Sequence, residues 1–263
     1  MGLVRLLVAL AIGPILTAAT VNPGTPDYSV TTILNSYAGV VGMYSPSGFI
    51  SIYGTNLSFV SRVIAEEDLR AGIWPTTLPG TNVRVLINNI PASIILVSPT
   101  QVDFMVPPSL VAGPATIVLV NNGLAGPSVQ ITLDDTAPVM LHVGGGIILA
   151  AHLDWTRVTP ASPARRGELV VLYAVGLGYT LPAQLANTLP DRAASITKLP
   201  DFQVRLNGAA VGASQIAYAG ISPPYPGIFQ INLWIPNDAP ADPEIRLGFP
   251  GSMSLPGGIL PLR

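Results

Sequence analysis

The sequence predicts an all-β protein built as two tandem β-sandwiches, and three observations carry that prediction. Apolar residues recur with period two through short segments bounded by Gly, Pro, Asn and Ser. The 26 glycines and 27 prolines among 263 residues leave almost no stretch on which a long helix could form. The order of strand-like segments in the first half also recurs in the second.

The first twenty residues stand apart. Residues 1–5 are a short basic start, residues 6–16 an apolar run broken only by Gly13 and Pro14, and Thr17-Ala18-Ala19 supplies small residues after it. This is the three-part pattern of a secretory signal, cleaved after Ala19. The alternative, an uncleaved anchor, asks an eleven-residue run to span a hydrocarbon core about 30 Å thick. Residues 1–19 are therefore read as a signal peptide and 20–28 as a short linker. No later segment reaches eighteen uninterrupted apolar residues, so no membrane insertion is expected once the leader is removed. The expected location is outside the cytoplasm: secreted, periplasmic or at the cell surface.

Strands follow from the alternation. Val83, Val85 and Ile87 form one apolar row, Val102, Phe104 and Val106 a second, and Val129, Ile131 and Leu133 a third, with polar residues or Met105 between them. Residues 61–71, holding Glu66, Glu67 and Asp68, are the one place where a helical turn is plausible. Gly54, Gly80, Gly123 and Gly208 fall at strand ends, where tight turns call for positive φ. Val106-Pro107 and Ile235-Pro236 end strands, because Pro cannot donate to a ladder.

The repeat sets the domain count. Ile33-Leu34-Asn35-Ser36-Tyr37 aligns with Ile148-Leu149-Ala150-Ala151-His152, and Phe49-Ile50-Ser51-Ile52-Tyr53-Gly54 with Leu169-Val170-Val171-Leu172-Tyr173-Ala174. Val83-Arg84-Val85 and Asn88 correspond to the segment Phe202-Gln203-Val204-Arg205-Leu206-Asn207. Gln101-Val102-Asp103-Phe104-Met105-Val106-Pro107 matches Gln230-Ile231-Asn232-Leu233-Trp234-Ile235-Pro236 in polarity at each position. Each copy is long enough for one core, giving domains at 29–136 and 137–263 with the seam near Thr136-Ala137-Pro138.

The same residues carry a family resemblance. Gly54-Thr55-Asn56-Leu57, Asn88-Asn89-Ile90-Pro91-Ala92, Val97-Ser98-Pro99-Thr100-Gln101 and Val106-Pro107-Pro108 resemble the IPT/TIG type of immunoglobulin-like domain. The whole order is closer still to an uncharacterised C-terminal domain of exported proteins from Solibacter and other acidobacteria. Its second-half signatures are Pro163-Ala164-Arg165-Arg166-Gly167-Glu168, Tyr173-Ala174-Val175-Gly176-Leu177-Gly178, Tyr218-Ala219-Gly220 and Pro226-Gly227-Ile228-Phe229-Gln230-Ile231-Asn232. The resemblance spans about residues 30–262. It implies two immunoglobulin-like sandwiches and no assigned activity. The family usually sits behind larger exported modules, whereas here only the leader precedes it.

Composition excludes several classes of chemistry. With no cysteine there is no disulfide framework, thiolate metal site or cysteine nucleophile. A formal charge of −2, from 12 basic and 14 acidic residues, offers no electrostatic footprint for nucleic acid. His142 and His152 have no ligand-type residue at helical spacing, and His152 reads as a satisfied strand histidine. A metal site at the seam, using His152 with Asp134, Asp135 and Asp154, is the alternative for that histidine; it lacks the alternation of a calcium loop. Gly176-Leu177-Gly178 lacks a third glycine and a following helix, so it is no phosphate loop. Glu66, Glu67 and Asp68 read as solvated carboxylates, and no serine has a His and an acid in a recognisable order. The sequon Asn56-Leu57-Ser58 is formal only. No metal, cofactor or catalytic residue is assigned.

Two function classes remain. The first is a non-catalytic exported interaction module serving adhesion, envelope scaffolding, or carbohydrate or protein binding. The second is a carboxylate-dependent hydrolase acting on polysaccharide. Strand parity gives the first class a place to bind. If Phe229, Ile231, Leu233 and Ile235 point inward, Gln230, Asn232 and Trp234 point outward, and the rigid loop Pro223-Pro224-Tyr225-Pro226-Gly227 displays Tyr225. A Trp beside two amides suits surface polysaccharide or another exported protein. The alternative is that Trp234 is covered, as Met105 at the equivalent place would suggest.

Overall fold

A computed structural model describes residues 24–263 apart from Arg70. The signal peptide assigned to 1–19, and the first part of the linker after it, lie outside the described residues. The chain divides into two compact units at Asp135/Thr136, the first also taking in Leu185–Leu189.

The first unit contains β1 (Ile33–Asn35), β2 (Phe49–Tyr53), β3 (Arg62–Val63), β4 (Val83–Ile87), β5 (Ile90–Pro91), β6 (Ser93–Val97), β7 (Gln101–Met105), β8 (Gly113–Asn121), β9 (Leu124–Ala125) and β10 (Val129–Leu133). They form two antiparallel sheets in the orders β1-β2-β7-β6-β3 and β10-β8-β4-β5, with β9 pairing β8. Ile50, Ile52, Ile94, Val102 and Phe104 from one sheet, and Val83, Val85, Ile87, Ile117 and Leu119 from the other, are completely buried. The period-two rows of the sequence thus meet as the inner faces of one sandwich.

The second unit contains β11 (Val139–Met140), β12 (His142–Gly144), β13 (Ile147–Ile148), β14 (Ala150–Ala151), β15 (Leu169–Val175), β16 (Thr180–Leu181), β17 (Ser195–Ile196), β18 (Gln203–Leu206), β19 (Ala209–Ala210), β20 (Ile216–Ile221), β21 (Phe229–Trp234), β22 (Ile245–Phe249) and β23 (Ser252–Met253). Its larger sheet runs β11-β15-β21-β20-β17-β16 with β14 also on β15, and β19-β18-β22-β23 forms another sheet. Val170, Leu172, Ala174, Phe229, Ile231, Val204, Ile245 and Leu247 belong to one buried core. The protein is therefore all-β, two immunoglobulin-like sandwiches in tandem.

The repeat persists in hydrogen-bond register. Phe49 pairs with Met105 and Tyr53 with Gln101. In the second unit Leu169 pairs with Trp234 and Tyr173 with Gln230. Even the bulges coincide: the register slips between Ile94 and Leu96 against β7, and between Ile216 and Tyr218 against β21. The turns match as well. Asn88 and Asn207 adopt φ of 49° and 46°, a conformation Asn tolerates, and each side-chain oxygen accepts a backbone N–H, from Thr116 and Glu244, at 2.8 Å. One sequence match shifts. Ile33 sits opposite Ile52, and its counterpart opposite Leu172 is Ala150 rather than Ile148. Short apolar segments without a polar marker do not define their own register.

Four local expectations are corrected. The helical turn shrinks to a 3-10 turn at Glu66–Leu69. Asp68 is not solvated: it takes Arg62 on both oxygens, at 2.7 and 2.9 Å, and the Ala65 N–H at 2.9 Å. Gly54 does not need positive φ; a Cβ there would meet the Asp27 carbonyl oxygen. Asp103 and Met105 do not form an open outer row, since β7 is covered on both faces and both residues are buried.

Asp103 bears the consequence. Burial pushes its carboxyl up to about 6, although bonds from Ser51 and Gln101 favour the charged form. Gln101 Nε2 donates to both carboxylate oxygens, at 2.9 and 3.0 Å. Between the ordinary value of 3.8 and about 6, the folded state holds a proton that the unfolded chain has released. Stability from this group is thus complete below pH 3.8 and is lost as pH rises through about 6. Asp103→Asn places the residue of the second repeat at this position and removes the titration. Thermal melts are expected to show a variant more stable at pH 7, by up to about 3 kcal/mol, with a flatter profile between pH 4 and 6. A variant less stable than the parent at pH 7 would show that the carboxylate's hydrogen bonds outweigh its desolvation.

Candidate functional site

The outer row of β21 lies where parity puts it. Phe229, Ile231 and Leu233 are completely buried, while Gln230 and Asn232 are half-buried and Trp234 is 45% exposed. The corresponding first-repeat residue, Met105, is 1% exposed, so cover at one position does not imply cover at the other. Across the sheet Trp234 faces Leu169, Asn232 lies between Val171 and Tyr218, and Gln230 between Tyr173 and Gly220.

The polar groups form a chain along this row. Ser222 Oγ donates to Gln230 Oε1 at 3.3 Å, and Gln230 Nε2 donates to Asn232 Oδ1 at 2.7 Å. The chain leaves the Asn232 amide N–H groups as the donors nearest Trp234. Tyr225 is half-buried rather than displayed; it lies close enough to Tyr173 to raise that phenol further, burial being the larger cause. The four residues singled out in the sequence thus share one side of the sheet. Trp234 lies four residues from Gln230, about 13–14 Å along the strand.

A second constellation was not apparent in the sequence. His152 follows β14 directly instead of lying within a strand, and its partner is Glu168 rather than Asp134 or Asp135. His152 Nδ1 lies 2.5 Å from Glu168 Oε1, and the other Glu168 oxygen accepts the Arg165 N–H at 2.8 Å. His152 Nε2 faces the Ser162 carbonyl at 3.2 Å and the Ser162 hydroxyl at 3.4 Å. These residues line an open cleft of about 560 Å³ together with Leu153, Asp154, Thr156, Arg165 and Arg166.

The serine–histidine–carboxylate order invites a catalytic reading, but the geometry is that of a clamp. Only a protonated Nε2 can donate to the nearer Ser162 carbonyl, and that proton prevents Nε2 from taking one from the hydroxyl. Glu168 holds the imidazole above the ordinary range, first through its hydrogen bond, which stabilises the doubly protonated ring. His142, by contrast, is half-buried on β12, and burial lowers it. Among the described residues no three His, Asp or Glu side chains gather as metal ligands. Sequence spacing could not reveal the His152–Glu168 pair, because two separate turns bring the residues together.

The His152 clamp has a clear pH signature. Its folded value lies above the unfolded 6.5, so the stability it contributes is complete below pH 6.5 and declines as pH rises through the raised value. Proton NMR is expected to show His152 titrating above 6.5, and Glu168→Gln should bring the midpoint down towards it. A His152 midpoint unmoved by that change would sever the link between the two side chains.

With this geometry in place, the chain can be set beside known proteins. It resembles a surface glycan-binding protein from Prevotella bryantii at 13% identity and a TM-score of 0.26, covering 88% of this chain and 41% of that one. It also resembles a surface glycan-binding protein of the Bacteroides ovatus mixed-linkage glucan utilization locus, determined with a mixed-linkage heptasaccharide, at 11% identity and a TM-score of 0.32, covering 92% and 46%. The chain spans less than half the length of either. No curated protein sequence matches it. Residues 41–137, which make up most of the first sandwich, match the IPT/TIG domain model.

Proposed function

We propose that the protein is an exported, non-catalytic interaction module that binds a surface polysaccharide or another exported protein through the outer row of β21. The observation that carries this reading is Trp234, left 45% exposed beside Asn232 on a strand whose inner row is completely buried. A central strand packed on its inner face cannot shift its side chains, so the ring and the amides are held at fixed spacing before any ligand arrives. Pre-organised aromatic area with adjacent amide groups suits a sugar ring, which offers a C–H face and hydroxyls, or a protein contact. Export rests on the leader at 1–19 and on the resemblance to exported acidobacterial domains. The two sandwiches, 29–136 and 137–263, are proposed as separately folding modules, each with its own buried rows.

Trp234→Ala tests the face. Affinity electrophoresis against a panel of soluble glucans and xylans, with pull-down from envelope fractions, should show at least tenfold weaker binding in the variant. The melting temperature should fall by no more than a degree or two, because the side chain is half exposed. A fall of many degrees with binding unchanged would make Trp234 a packing residue and remove this face from consideration.

A further inference from the structure

The hairpin that opens the cleft carries a contradiction between local backbone and side chain. Ala151 bridges Arg157, the Val158 N–H donates to the Ala150 carbonyl, and the His152 N–H to the Thr156 carbonyl at 2.9 Å. The loop is therefore Leu153-Asp154-Trp155. Three-residue hairpin loops place their last residue in the left-handed region, normally as glycine. Here that residue is Trp155, at φ 67°. Of the eleven non-glycine residues with positive φ among those described, seven are Asn, and Trp155 is the only aromatic.

Burial does not offset this strain. Trp155 is 66% exposed and Leu153 is 59% exposed. The turn is nevertheless held firmly. The Trp155 N–H donates to the His152 carbonyl at 3.0 Å, and Asp154 Oδ1 accepts both the Thr156 N–H, at 2.9 Å, and its hydroxyl, at 2.6 Å. The His152–Glu168 pair fastens its base. A strained conformation kept in place by its surroundings, and used to present an aromatic ring to solvent, is the usual condition of a ligand contact.

The cleft beside it is unevenly satisfied. Trp155 lies between Asp154 and Thr156, both of which line the cleft. Its carboxylates are already engaged, Asp154 by Thr156 and Glu168 by His152 and the Arg165 N–H. Its guanidinium groups are not. The Arg165 side chain has no acceptor among the described residues, and Arg166 uses only Nε, on the Ala239 carbonyl at 2.7 Å. What the cleft lacks is a planar anionic acceptor, the group that a guanidinium fork matches.

From the ring and the forks together we infer that this cleft is a second ligand site, independent of the Trp234 row, for the uronate units of an acidic polysaccharide. Trp155 stacks on the sugar face, and Arg165 and Arg166 take the carboxylate. An acidic peptide would also supply carboxylates, but it offers no flat C–H face for an isolated, rigid indole.

The test is affinity electrophoresis of the full chain in gels containing polygalacturonate, with dextran and poly-L-glutamate gels as controls. The parent protein should be retarded by polygalacturonate alone. Trp155→Gly and Arg165→Gln should each weaken that retardation at least tenfold. Trp155→Gly should melt at or above the parent temperature, since glycine suits this backbone. Trp234→Ala should leave the retardation unchanged. No retardation of the parent, or retardation that survives both cleft variants, would overturn the site. Equal retardation by poly-L-glutamate would overturn the assignment to sugar. Loss of retardation in Trp234→Ala instead would move the ligand to the outer row of β21.

Discussion

In each unit the surrounding strands depend on one antiparallel pair, β2 with β7 in the first and β15 with β21 in the second. Its inner side chains are completely buried, and its register is identical in the two copies down to the bulge on the neighbouring strand. A one-residue slip in such a pair would turn Val102 and Phe104, or Ile231 and Leu233, out of the core together. Burying a large aliphatic or aromatic side chain is worth about 1.5–3 kcal/mol, so a slip that exposes several at once is prohibitive. The inner row is thereby pinned. The outer row inherits the same precision without being part of the core, and this is where the two copies can diverge.

They diverge at three successive outward positions. Gln101, Asp103 and Met105 correspond to Gln230, Asn232 and Trp234, and the amide-to-oxygen bond from the glutamine is kept in both. In the first unit the row is covered, and the carboxylate is held near its neutral form by burial. In the second the carboxylate is an amide, the sulfur side chain is an indole, and the end of the row is open. An amide suits a surface that is alternately wet and covered, since it has no charge to desolvate. The substitution pattern follows exposure rather than strand pairing, which is the same in both.

How far the sequence could be read follows from the range of each interaction. Asn88 and Asn207, or Gln101 and Gln230, were recognisable as equivalents because turn chemistry and alternation are local properties. Ile33 was misaligned by two residues because an apolar segment of three has no feature of its own to set its register. Alternation placed Asp103 on the outer side of β7 but could not say whether that side is covered. The outward place of Trp234 was likewise available, and its exposure was not. The His152–Glu168 clamp was out of reach, because sixteen residues and two turns separate its members. Trp155 was overlooked for the opposite reason: its loop has no glycine, so the turn that makes it interesting leaves no turn signal.

Trp155 and Trp234 show two ways in which one fold presents an aromatic ring to solvent. Trp234 obeys every local rule; it is a strand residue on a strand, and its position follows from the core behind it. Trp155 breaks the local rule, and hydrogen bonds from Asp154, Thr156 and His152 hold it there. A strand face offers fixed spacing, with same-side residues about 7 Å apart along a line. That geometry suits an extended ligand lying across the sheet. A hairpin beside a cleft offers enclosure and converging groups, which suit a single unit with a distinctive substituent. In a consistent fold, departures from local preference concentrate where something other than folding sets the conformation. Trp155, exposed and strained beside two guanidinium groups with unused donors, is such a departure.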